Sequence, residues 1–229
     1  MWAEYIGFHC TRQGWYTLAT MFSLLFEQPA LLIVLLLAIV FALSFHELGH
    51  AAVSYLLGDE TAKRAGRLTL NPLAHLDLFG FILMIIVGFG WAKPVPFNPY
   101  NLKWKKWGPV AVSLAGPFFN LILALVAGLS FRALTSFGIF GEGNALLIFL
   151  FFLVIYNLGL MIFNLIPVPP LDGSRLLFLF LDHFNYVELK RRIETQGSWV
   201  LFLVIIFDSV FRLGIFSALF GFVQSVLGC

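Results

Sequence analysis

One apolar run carries three ionisable groups, and that combination restricts the fold more than any other feature of the chain. Residues 30–57 form a run of 28 residues in which Glu47 is the sole Asp, Glu, Lys or Arg. About 20 such residues cross a bilayer as a helix. His46, Glu47 and His50 all lie within the run. A charged side chain at the bilayer centre costs about 2.5–3.5 kcal/mol or more. Such groups therefore face a protein interior or a watery cavity, and they mark function.

The rest of the chain agrees with a membrane setting. Of its residues 60% are hydrophobic and 11% charged, against roughly a quarter charged in soluble domains. The net charge of +2 is small. No basic run is interleaved with aromatics as a nucleic-acid surface needs, so no nucleic-acid partner is expected. Cys10 and Cys229 sit at opposite ends and make neither a disulfide framework nor a metal motif. Glu4, His9 and Arg12 interrupt the first residues, which argues against a cleavable signal peptide.

Three further runs are long enough to cross: 110–134, 144–168 and 198–222. Residues 14–26 read as an interfacial helix ended by Pro29, and 78–91 is apolar but too short to cross. Charge decides how the short segment lies. The loops 58–77, 92–109 and 169–197 carry Lys and Arg, whereas 135–143 carries neither. Basic loops stay in the cytoplasm. If 78–91 dips in and returns, every loop obeys that rule, and the segment lines a cavity, because irregular backbone at that depth must be covered by protein or water. The expected fold is an all-α integral membrane protein. It has about four full spans plus a re-entrant or extended segment, with room for a small membrane-embedded β-hairpin. The expected divisions are an N-terminal interfacial segment (1–29), a catalytic membrane core (30–184), and a cytoplasmic loop with a C-terminal span (185–229).

The sequence His46-Glu47-Leu48-Gly49-His50 matches H-E-x-x-H. Residues four apart share a helix face, so both imidazoles reach one Zn²⁺ at about 2.0–2.1 Å. Glu47 points about 100° away around the axis, well placed to hold a water as general base. A buried polar cluster pairing two helices is the plainer reading. A catalytic zinc takes three protein ligands. The candidates for the third are His9, His75, Asp77, Asp172, His183 and Asp208. Asp172 stands out because the uncharged stretch 144–171 ends in three prolines before Asp172-Gly173. Proline breaks a helix and glycine permits a tight turn, so this carboxylate can be presented from a broken helix end. An ordinary helix-terminating turn is the alternative. Iron or cobalt suits the same ligand types.

HELGH, "GRLTLNPLAHLDLFG" (66–80), "GWAKPVPFNP" (90–99), "SLAGPFFN" (113–120) and "NLIPVPPLDG" (164–173) together resemble the site-2 protease family of intramembrane zinc metalloproteases, peptidase family M50. The resemblance covers about residues 25–180. It implies that His46, His50 and Asp172 hold zinc, that Glu47 is the base, and that Asn164 contacts the substrate backbone or the oxyanion. The implied substrate is a transmembrane protein cleaved in the lipid bilayer. Two departures stand out: Ser174 follows LDG where glycine is frequent, and no PDZ-like or CBS-like domain is attached.

The remaining polar sites are weaker. His75 and Asp77 have the spacing of a supporting pair near the site, or of turn and cap residues. Asn120 reads as a polar contact beside Gly116-Pro117. Lys93 lies in an extended, proline-rich segment that offers an edge to a substrate peptide. "KWKKW" (103–107) suits the headgroup interface. The expected location is a prokaryotic cell membrane, multi-pass, with the active site open to the cytoplasm. A metal transporter or a non-catalytic protein keeping the site are the competing readings. A transporter needs ligands along a path, and a non-catalytic protein would show a broken HExxH or LDG.

Overall fold

The computed structural model describes residues 26–87, 90–138, 140, 141 and 143–211, together with 213, 214, 218 and 221. The interfacial helix expected over 14–26 lies outside these residues except for Phe26. His9, Cys10 and Cys229 also lie outside them, as does most of the expected last span beyond 211. In chain order the helices are α1 (Pro29–Leu56), α2 (Thr61–Arg64), α3 (Leu78–Val87), α4 (Gly108–Ser136), α5 (Ala145–Asn164), α6 (Ser174–His183) and α7 (Val187–Phe211), with short 3₁₀ turns at Pro72–Ala74 and Pro99–Asn101.

Among the described residues, α1, α4 and α5 are long and apolar enough to cross a membrane. They pack pairwise into a bundle. One end of it is an apolar core, where Leu31, Leu35 and Ile39 of α1 meet Phe131 of α4 and Leu147 and Phe151 of α5. The outer faces are apolar too. Ile33, Leu37 and Phe41 on α1, and Phe118, Ile122, Leu125 and Leu129 on α4, recur at helical spacing and are exposed. Stripes of this size fit contact with lipid rather than water.

The last helix departs from expectation. It starts at Val187 rather than 198, because Glu188 pairs with Arg191 and Arg192 at helical spacing. Lys190 also reaches back to Asp182 of α6 at 2.8 Å. A search for apolar runs cannot see a polar helix of this kind. α7 is not among the three candidate spans.

Residues 78–91 leave and return to one place. Leu76 and Ala92 form an isolated antiparallel bridge, and the Lys93 N–H donates to the His75 carbonyl at 2.8 Å. Arg67, buried, donates from one guanidinium nitrogen to the carbonyls of Ala74 at 2.6 Å and Lys93 at 3.2 Å, and so clamps both flanks. A Cβ on Gly80 would lie 2.3 Å from the Trp91 carbonyl oxygen, so only glycine lets α3 pack this closely on the returning chain. The described residues contain this single bridge in place of the expected β-hairpin.

Candidate metal centre

The polar residues gather at the other end of the bundle, where α1 and α4 cross. Gly49, inside HELGH, faces the Ala115 carbonyl oxygen, and a Cβ there would approach it to 2.7 Å. From α4, Gly116 faces the histidines. A Cβ at 116 would lie 2.5 Å from His50 Nε2 and 2.7 Å from His46 Cε1. Neither glycine has a positive φ. Close approach is the reason for each.

The third partner arrives from beyond α5. That helix stops at Asn164, earlier than the apolar run suggests, because Pro167, Pro169 and Pro170 cannot donate to its last turn. The Pro169–Pro170 peptide is cis. The Gly173 N–H then donates to the Asn164 carbonyl at 2.7 Å, closing the loop and fixing Asp172 beside the helix end. Gly173 has φ −58°, so it is not there for a left-handed turn. A Cβ on it would lie 2.3 Å from the Leu165 carbonyl oxygen.

His46 Nε2, His50 Nε2 and Asp172 Oδ2 converge. The separations are 3.1 Å between the histidines, 3.1 Å from His46 to Asp172 and 3.4 Å from His50 to Asp172. Bonds of about 2.0–2.1 Å to a tetrahedral Zn²⁺ place its ligands about 3.3–3.4 Å apart. The triangle is therefore the size of a zinc ion's face. The donor set, two imidazoles and one carboxylate, suits that ion. His50 Nδ1 is 2.7 Å from the Val112 carbonyl oxygen. That bond makes Nδ1 the protonated nitrogen and leaves the Nε2 lone pair free for a metal.

Glu47 is not one of the three converging groups; it is largely buried and accepts the Val95 N–H at Oε2 over 3.1 Å. Pro94 and Pro96 have no N–H, so Val95 supplies the only main-chain donor of this proline-flanked triplet. Asn164, half-buried, donates one amide hydrogen to the Leu160 carbonyl at 3.0 Å, leaving the other for a second acceptor.

The other sequence candidates go elsewhere. His75 is buried, with Nε2 2.9 Å from the Thr69 carbonyl oxygen, and Asp77 accepts the Gly80 N–H at 2.8 Å and so caps α3. Both shape the loop and neither joins the triangle. Lys93 has an exposed side chain and contributes through its backbone. Asn120 is fully buried on α4, and neither side-chain polar atom has a hydrogen-bond partner among the described residues.

Sequence reasoning missed Asp59. This carboxylate is fully buried just past α1. It accepts from Ser54 Oγ, the Thr61 N–H and hydroxyl, the Asn98 N–H and the Asn101 amide. Burial by itself would raise its pKa, but donors from Thr61, Asn101 and Asn98 outweigh it and hold the group at about 2. Asp59 thus ties the end of α1 to the segment that carries Val95. The signal available was Asp-x-Thr opening a short helix, an N-terminal pattern.

Two helix-borne histidines, an aspartate from a broken helix end and a neighbouring glutamate, set in an apolar bundle, are the arrangement of a metallopeptidase. The model for peptidase family M50 matches residues 142–207, which include Asn164 and Asp172. YwhC of Bacillus subtilis (strain 168), a zinc metalloprotease by name, is 42% identical over 156 residues, 67% of this chain and 71% of YwhC. Rip2 of Mycolicibacterium smegmatis, also named for zinc metalloprotease activity, is 33% identical over 172 residues. That match covers 72% of this chain but under two thirds, 62%, of Rip2. Protease RseP of Photorhabdus luminescens is 39% identical over 51 residues, 22% of this chain and 23% of RseP. No solved structure gives a significant match. The chain belongs to peptidase family M50, the family of the site-2 proteases.

Proposed function

We propose that the chain is an intramembrane zinc metalloprotease that cleaves peptide bonds within or near the transmembrane segments of membrane proteins. The carrying observation is the triangle of His46, His50 and Asp172, of zinc dimensions, with its two histidines on a helix long enough to span. His46 lies about ten residues before the end of α1, so about 15 Å below it at 1.5 Å per residue.

Zinc held by these three residues would polarise the scissile carbonyl and lower the pKa of a water towards about 7. Glu47 would act as the base, taking a proton from the attacking water as its oxygen bonds to the carbonyl carbon and returning that proton to the amine as the C–N bond breaks. The Val95 N–H holds one Glu47 oxygen, which leaves Oε1 to face the water. The second amide hydrogen of Asn164 is directed to the developing oxyanion. The extended residues 92–98 receive the unwound substrate backbone by β-addition. The Lys- and Arg-bearing loops at this end of the bundle support a cytoplasmic orientation, in our reading that of a prokaryotic cell membrane. On this reading 78–91 is re-entrant and the fourth span is the run 198–222, which begins within α7.

The test is cleavage of a model transmembrane peptide by purified protein, alongside its zinc content. Glu47→Gln should abolish cleavage and leave zinc bound. Full activity in that variant overturns the mechanism.

A further inference from the structure

The two histidines of the triangle are treated differently. His50 has its second nitrogen on the Val112 carbonyl at 2.7 Å. His46 Nδ1 is buried with no hydrogen-bond partner among the described residues. An imidazole that ligates a metal almost always donates its other N–H, which fixes the tautomer and the ring. A buried donor without an acceptor costs about 1–3 kcal/mol.

α4 supplies the candidate acceptor by its own periodicity. Val112 serves His50. One turn on, Gly116 touches both rings, with a Cβ position 2.7 Å from His46 Cε1, the atom bonded to Nδ1. One further turn on, and on the same face, stands Asn120. It is fully buried, and both its Oδ1 and its Nδ2 are without partners. Cβ atoms four residues apart on a helix are about 5–6 Å from each other. The Asn120 amide and His46 Nδ1 make no direct hydrogen bond, and a separation of this order is one that a single water can bridge. A buried water typically makes about three bonds to such orphaned groups.

We propose that Asn120 is a positioning residue for the metal centre: one bridging water accepts the Nδ1–H of His46 and donates to Asn120 Oδ1, holding the ring with Nε2 towards the metal. This rests on His46 being a zinc ligand. It gives the "GPFFN" sequence a division of labour. Gly116 makes room for the rings, and Asn120 orients the one that Val112 does not reach.

The experiment is zinc affinity by chelator competition on the purified full chain, paired with the thermal midpoint of the zinc-free protein. Asn120→Leu should lower zinc affinity 10- to 100-fold and leave the zinc-free midpoint unchanged or raised, since an apolar group replaces an unpaired polar one. Asn120→Asp, which keeps the acceptor, should restore the affinity. The proposal is overturned if Asn120→Leu binds zinc as the wild type does, or if the zinc-free midpoint falls while affinity holds. Failure of the wild type to bind zinc at all would instead remove the reading of the triangle, and this proposal with it.

Discussion

The Val95 N–H donates to Glu47 Oε2 at 3.1 Å, joining residues 48 positions apart in the chain. It fixes the carboxylate from outside α1 and brings the proline-flanked segment against the base. Hydrogen bonds to charged groups contribute about 1.5–3 kcal/mol. Val95→Pro removes the donor, so kcat/KM for a transmembrane peptide should fall roughly 10- to 100-fold, while zinc content stays stoichiometric. Val95→Ala keeps the donor and should stay near wild type. Equal activities for the two variants would show that the bond does not matter to catalysis.

Asp172→Asn tests the third corner of the triangle. The amide keeps the shape but loses the charge, and its oxygen is a poorer partner for a divalent cation. Zinc affinity should drop at least 10-fold, and cleavage should vanish at zinc concentrations that saturate the wild type. Retention of wild-type affinity would send the search for the third ligand elsewhere.

What the sequence revealed, and what it hid, follows from the kind of signal involved. HELGH was readable because costly groups in an apolar run are conspicuous. Asp172 was readable because three prolines and a glycine punctuate the chain just where the charge returns. Gly116 and Gly49 were not, because their role is close approach between helices, and no local pattern records which helix lies opposite. The Val112 carbonyl was invisible for a stronger reason, since every residue has one. Arg67 and Asp59 looked like ordinary loop charges. Their burial depends on segments 26 and 39 positions away. The re-entrant path of 78–91 is an inference from charge alone, and the Leu76–Ala92 bridge adds that the two flanks of the segment meet.

Gly116→Ala should separate metal binding from folding. The added methyl would lie 2.5 Å from His50 Nε2 and 2.6 Å from its Cε1, so the rings must shift. Overpacking costs about 1–3 kcal/mol, and alanine returns about 1 kcal/mol of helix propensity. The thermal midpoint should therefore change little, while zinc affinity falls at least 10-fold. Gly49→Ala differs, because its methyl meets the Ala115 backbone at 2.7 Å, which cannot swing aside. That variant should lose stability outright. If Gly116→Ala instead unfolds the protein with its metal affinity intact, the contact is structural alone.

Asp59 predicts an acid limb to stability. Its folded pKa, about 2, lies below the ordinary carboxylate value of 3.8. The stabilisation is therefore complete above about pH 4 and is lost as the pH falls towards 2. Asp59→Asn removes that titration. It also turns an amide towards donors, since the five hydrogen bonds all point at the carboxylate oxygens. The variant should be less stable at pH 7 by about 2–3 kcal/mol, and its midpoint should vary less with pH than that of the wild type between pH 4 and 2. Because Asn98 lies three residues from Val95, cleavage should weaken as well, through looser support of Glu47. A parallel fall in both proteins on acidification would assign the acid limb to other carboxylates.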